Sequence, residues 1–190
     1  MVRINELIKS DIQKLNTLKK SNGFMMLLFG FFIRRSIRII ILMRLLKSNY
    51  RIISFLSHRI LRRNHIEVGK SVEIGEGLFL PHPWCIIIAE DVKLGNDVSI
   101  GQYVTIGGNF KKTKKQPDGR IQKLPVIGNR VMIQPGAVIA GPVTIGNDVI
   151  IGANAVITHD VPSYSMAFGQ NQIAKKKIRI PKKGGEFNLV

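Results

Sequence analysis

From Ile127 onward a branched aliphatic residue stands at every sixth position: Ile127, Ile133, Ile139, Ile145, Ile151 and Ile157. Small or aliphatic residues follow four places behind each one, at Val131, Ala137, Val143, Val149, Ala155 and Val161. A period of six is neither the 3.6 of a helix nor the 2 of an ordinary strand. It predicts a mainly β protein, a parallel β-helix of hexapeptide repeats in which three hexads close one triangular coil. The lead residues fill the prism, and Gly and Asn are expected at tight corners that need positive φ.

Upstream the rhythm runs in two shifted frames, Val68-Ile74-Leu80 and Ile88-Leu94-Ile100-Ile106. Between Leu80 and Ile88 the phase slips by two residues, so one side is expected to carry eight, Leu80 to Ile87. Between Ile106 and Ile127 the spacing is 21, so a loop must leave the coil near Gly107-Gly108 and return near Pro125. Loops carried on a rigid scaffold are where function concentrates.

Residues 1–63 follow a different pattern. Ile4, Leu7, Ile8, Ile12, Leu15 and Leu18 form one helical stripe over 2–20, which Ser21-Asn22-Gly23 ends. The apolar run 23–33 falls short of the roughly 20 residues a bilayer requires. A second helical stretch, about 31–61, mixes large apolar residues with nine arginines and lysines through Arg63. Such a segment fits either a helix lying on an anionic membrane surface or one packed over the open end of the solenoid. The expected division is therefore 1–63 as a short basic α-helical N-terminal segment, 64–174 as the β-helix with its excursion 107–125, and 175–190 as a basic C-terminal tail.

Charge sharpens that division. Of the net +17, residues 1–63 hold +12, from 14 Lys and Arg against 2 Asp and Glu, and the remainder holds +5. Without interleaved aromatics or a recognised motif, this basic character does not point to nucleic acid. Cys85 is the single cysteine, which fits a reducing cytoplasm, and the acid-containing first residues predict no signal peptide.

Histidine placement separates the chemistries. A three-histidine zinc site is not expected, because His58, His65, His82 and His159 include no His-x-x-x-x-His pair, so no metal is called for. His82 lies within the phase slip, held between Pro81 and Pro83, and imidazole is suited to accept a proton from a hydroxyl near neutral pH. His159, closing the last coil, reads as a turn residue. What remains is acyl transfer from a thioester, or a scaffold without catalysis.

The segments Ile66-Glu67-Val68, Ile74-Gly75-Glu76-Gly77-Leu78, Pro81-His82-Pro83-Trp84, Val104-Thr105-Ile106-Gly107-Gly108 and Ile151-Gly152-Ala153-Asn154-Ala155 resemble hexapeptide acyltransferases of the serine acetyltransferase type over about 64–174. The resemblance implies a left-handed β-helix, a homotrimer, and acetyl-CoA bound as cosubstrate in grooves between subunits, with no metal. It implies a base at His82, an acidic partner at Glu67, and CoA contacts at Gly108, Pro135 and Ala153. Backbone amides near the Gly107-Gly108 turn or on the bulged side are expected to stabilise the oxyanion. Lys175, which opens Lys175-Lys176-Lys177, is a candidate for the CoA phosphates, and the loop run from Lys111 to Lys115 for those phosphates or for a phosphorylated, lipid-linked sugar. Cys85 is not expected to act as a nucleophile. Two departures stand out: Pro81 replaces an Asp, and Lys123-Leu124-Pro125 replaces an Arg-His-Pro that holds the amino acid. They favour a sugar hydroxyl of surface-polysaccharide biosynthesis as acceptor. Serine O-acetylation in cysteine biosynthesis, or a non-catalytic trimeric scaffold on a membrane surface, are the alternatives.

Overall fold

In a computed structural model, residues 4–11, 25–110, 112–175, 179–181 and 187–189 are described. The repeat region forms a left-handed parallel β-helix of three faces. The first face carries β1 (Ile66–Val68), β3 (Ile86–Ile88), β6 (Thr105–Gly107), β11 (Val138–Ala140) and β14 (Val156–Ile157). On the second face lie β2 (Glu73–Ile74), β4 (Lys93–Leu94), β9 (Val126–Ile127) and β12 (Thr144–Ile145). The third face comprises β5 (Ser99–Ile100), β10 (Met132–Ile133), β13 (Ile150–Ile151) and β15 (Ser165–Phe168), which an antiparallel β16 (Gln172–Lys175) extends.

Register follows the period of six. Ile139 pairs with Ile106 and Ile157, and Ile133 pairs with Ile100 and Ile151, so each lead residue stacks on another. All six leads from Ile127 to Ile157, and the six residues four places behind them, are at most 2% exposed. Removing such apolar surface from water is the main term favouring the fold.

The corners meet the expectation only in part: Gly77, Gly136 and Asn154 have positive φ, but other corner glycines do not. Gly146 does not adopt positive φ; a Cβ there would lie 2.4 Å from the Ser163 backbone nitrogen of the next coil. It is the close approach of coils that demands glycine. Along the second–third edge positive φ also falls on residues other than Gly and Asn, namely Asp97, Arg130, Asp148 and Tyr164. Corner asparagines join the coils: the amide of Asn96 donates to Asn129 Oδ1 and that of Asn129 to Asn147 Oδ1, both at 2.8 Å.

The N-terminal segment holds α1 (4–11), α2 (Met25–Leu45) and α3 (Arg51–Arg63). The stretch expected as one helix from 31 to 61 is two. The apolar run joins α2, and the chain turns at 46–50, where Ser54 Oγ donates to the Leu46 carbonyl at 2.8 Å and the Tyr50 amide to Ser48 Oγ at 3.3 Å. Short polar side chains that bond nearby backbone compete with helix at that point. The remainder of the expected 2–20 helix and its Ser21-Asn22-Gly23 stop lie outside the described residues. Among the described residues no helix is long and apolar enough to cross a membrane.

Helix α2 closes the open end of the solenoid. Ile39, Ile40 and Met43, with Leu46 just past the helix end, are buried in one core with Leu78 and Leu80. A buried ion pair fixes it there. Arg44 donates to both Asp11 carboxylate oxygens, at 3.1 and 3.0 Å, and to the carbonyls of Ile74 and Gly75 at 2.6 Å. Asp11 Oδ1 also accepts the Leu78 amide at 2.8 Å. Burial pushes the Asp11 carboxyl above its usual value, while the bonds from Arg44 and the Leu78 amide oppose that shift. Arg44→Ala leaves Asp11 as an uncompensated buried charge, so chemical denaturation is expected to show a loss of about 3–5 kcal/mol.

Candidate active site

The two breaks in the rhythm occupy different corners. Phe79 pairs with Ser99, and Ile88 with Ile106, so the two extra residues fall at the corner joining the third face to the first, and not along a side. A strand within the ladder cannot lengthen without losing register with its neighbours, whereas a corner can bulge. His82 stands exposed on this bulge. The Trp84 amide donates to the His82 carbonyl at 2.9 Å, closing a three-residue turn on Pro83, whose fixed φ suits it.

Both ends of the bulge are tied to α2. Buried Ser36 donates through Oγ to the Leu80 carbonyl at 2.5 Å. The Arg35 guanidinium lies 4.8 Å from the centroid of the Trp84 ring, and His65 packs on that ring at 4.7 Å with a 54° tilt. A cation over indole is the most favourable cation–π arrangement. Helix α2 therefore caps the core with one part of its length and holds the His82 bulge with another.

Below the bulge, successive corner residues form a column. Trp84, Gln102, Pro135 and Ala153 are linked as the amides of Tyr103, Gly136 and Asn154 donate to the carbonyls of Trp84, Gln102 and Pro135 at 3.0, 2.9 and 2.9 Å. Gly136 has φ +74°, and a Cβ there would come within 2.0 Å of Asn154 Oδ1. His82, Pro135 and Ala153, far apart in sequence, thus share one edge. Gln102 is the residue that sequence reasoning missed. Its Oε1 is buried and has no hydrogen-bond partner among the described residues. The signal was present in the coil length: Trp84 and Gln102 differ by 18 residues, as do Pro135 and Ala153.

The other expected residues lie elsewhere. Glu67 is exposed at the centre of β1, paired with Ile87, and lines a shallow pocket of about 240 Å3 with Arg62, His65, Ile66, Cys85 and Ile87. Gly107 and Gly108 lie at the opposite end of the first face, four residues or about 13 Å across it from Tyr103. Lys175 is exposed and pairs with Ser165, at the far side of the third face from the bulge. Lys111, Lys176 and Lys177 lie outside the described residues. Cys85 is a half-buried free thiol with φ +50°, and His159 is an exposed turn residue with Nδ1 3.3 Å from Thr158 Oγ1.

The excursion folds into a hairpin, β7 (Lys114–Lys115) and β8 (Ile121–Gln122). It is tethered to the coils by the Lys114–Asp160 ion pair and by Gln122 Nε2, which donates to the carbonyls of Leu124 and Val143 at 2.9 Å. Lys123 is exposed and Leu124 packs partly against the core.

Comparisons with known proteins agree with this architecture. Residues 125–159 match the family model described as bacterial transferase hexapeptide (six repeats). The serine acetyltransferase of Helicobacter pylori is 40% identical over 104 residues, covering 55% of this chain and 57% of that protein. That of Staphylococcus xylosus is 40% identical over 105 residues, 55% of this chain and 45% of that protein. The chain therefore spans about half the length of these relatives. Among solved structures, serine acetyltransferase isoform 3 of Entamoeba histolytica in complex with cysteine superposes with a TM-score of 0.70 at 27% identity, over 92% of this chain and 62% of that one. The Neisseria gonorrhoeae serine acetyltransferase gives a TM-score of 0.75 over 95% of this chain and 68% of that one, and its 24% identity speaks for the fold alone.

The resemblance to hexapeptide acyltransferases of the serine acetyltransferase type thus holds in sequence and in fold. The expected sugar acceptor is corrected by the same finding, since these relatives bear the name serine acetyltransferase. Pro81 and Lys123-Leu124 alter one bulge and one loop against a match of more than a hundred residues.

Replacing Ser36 by Ala leaves the Leu80 carbonyl without its buried donor. The expected cost is about 1–3 kcal/mol in urea denaturation. A shift in the emission of Trp84, the sole tryptophan, should accompany it as the bulge loosens.

Proposed function

We propose that this chain is an acetyl-CoA-dependent serine O-acetyltransferase, with His82 as general base. The observation that carries the reading is the column beneath the His82 bulge, where a buried, unpartnered acceptor, Gln102 Oε1, lies between Trp84 and Pro135. An unsatisfied buried acceptor calls for a donor, and the pantetheine arm of CoA carries two amide N–H groups. Pro135 and Ala153 extend the same edge toward the rest of the cosubstrate. Acetyl-CoA supplies an activated thioester.

The protein's own residues do the rest. His82 accepts the proton of the serine hydroxyl as that oxygen bonds to the acetyl carbonyl carbon, and returns it to the departing CoA sulfur as the C–S bond breaks. Glu67 is assigned as the acidic partner that favours protonated imidazole. With Pro81 and Lys123-Leu124 in place of the usual recognition groups, Arg62 and His65, beside Glu67 in the pocket, are the groups suited to the serine carboxylate.

Gly107 and Gly108, assigned as oxyanion donors and CoA contacts, lie across the first face from His82. One site that includes both needs the bulged edge of one copy to face the excursion corner of another. That requirement supports a homotrimer with its sites between subunits. Lys175, also across a face from the bulge, would reach the CoA phosphates only through such a neighbouring copy. A cytoplasmic location, where acetyl-CoA is available, completes the proposal.

Release of the CoA thiol by purified protein tests the reading. L-serine should support turnover, and His82→Ala should lower kcat by about 10²-fold or more while the thermal midpoint is retained. Absence of turnover on L-serine, or full activity in the variant, would overturn it. Gln102→Leu should raise KM for acetyl-CoA and leave KM for serine unchanged.

A further inference from the structure

Helix α3 packs the wrong way round for a capping helix. Its buried residues are Ser54, Ser57 and Leu61. Ile52, Leu56 and Ile60, spaced by four, form one stripe on the opposite side, with Ile53 and Phe55 flanking it, and all five are exposed; Ile52 reaches 74% and Phe55 60%. Closing the solenoid accounts for Ile39, Ile40 and Met43 of α2, which are buried in the core, but not for this face.

Basic residues border the stripe. Arg51, Arg59, Arg62 and Arg63 are exposed on α3. An open basin of about 940 Å3 at its start brings Lys47, Arg51 and Lys70 together with Ile52, Phe55 and Leu56. The sequence has no Asp or Glu between Asp11 and Glu67. Two copies joined through this face would set arginine against arginine with no acid on either helix to neutralise them. A surface that is apolar at depth and anionic at its boundary meets both needs at once.

From this arrangement we infer that α3 docks the protein on an anionic lipid bilayer. Ile52, Phe55, Leu56 and Ile60 enter the acyl boundary, and Lys47, Arg51, Arg59 and Lys70 face the headgroup phosphates. Such a helix lies in the plane of the interface with its apolar side roughly 5–10 Å deep. The proposal is independent of the acceptor that the active site uses.

Flotation of the full chain with vesicles tests it, using phosphatidylcholine alone or mixed with phosphatidylglycerol. The wild type should float with the mixed vesicles, not with phosphatidylcholine alone, and should be released at about 1 M salt, where the Debye length falls to about 3 Å. The triple variant Ile52→Ser, Phe55→Ser, Leu56→Ser keeps every charge. It should retain the far-UV circular dichroism of the wild type yet partition at least about tenfold more weakly. Unchanged binding by that variant would show only general attraction of a cationic protein, and would overturn the inference. So would failure of the wild type to float, or a wild-type oligomer that the variant dissociates while neither binds vesicles, which would give the face to a second copy of the chain.

Discussion

Hydrogen bonds between successive coils, about 4.8 Å apart, bind every face to the coils before and after it. A strand such as β11 is paired on both sides, to β6 and β14, and its Ile139 is fully enclosed by the leads above and below. Neither its length nor its inward residue can change without displacing both neighbours. Corners carry no such double constraint. The chain varies where coils turn: two residues are added before Ile86 and a hairpin after Gly107, and both alterations hold residues expected in the site.

A corner freed from the ladder has to be held by something else. At the His82 bulge that support comes from α2, through Ser36 to Leu80 and Arg35 to Trp84. The same helix carries Arg44, whose pairing with Asp11 and with the carbonyls of Ile74 and Gly75 locks it to the first coil. The basic character of the N-terminal segment is thus divided. Arg35 and Arg44 belong to the packing of this end, while Arg51, Arg59, Arg62 and Arg63 face outward.

The prism was legible because its signal is repetitive: a single inward-facing size at period six leaves little freedom, and every lead from Ile127 to Ile157 is buried as expected. Both interruptions were located from spacing alone, yet spacing could not show that the first lies at a corner. The helical break at Ser48-Asn49 was hidden because, unlike Ser21-Asn22-Gly23, it carries no glycine, and the bond from Ser54 to the Leu46 carbonyl fixes it. Of the residues expected in the site, His82, Pro135 and Ala153 share an edge, whereas Gly107, Gly108 and Lys175 do not reach it within one chain. Gln102 carries no motif; only the stacking of coils shows its oxygen to be enclosed and unpartnered. The sugar acceptor expected from Pro81 and Lys123-Leu124 finds no support among the relatives, whose likeness rests on the continuous match around those two sites.

The central claim is that one edge of the prism, from the His82 bulge through Gln102 to Ala153, is the catalytic groove. A crystal structure of the protein with CoA and L-serine tests it most directly. The account predicts the pantetheine arm along that edge, one of its amide N–H groups on Gln102 Oε1, and the serine hydroxyl within hydrogen-bond reach of the His82 imidazole. CoA bound away from Gln102, or serine remote from His82, would contradict it.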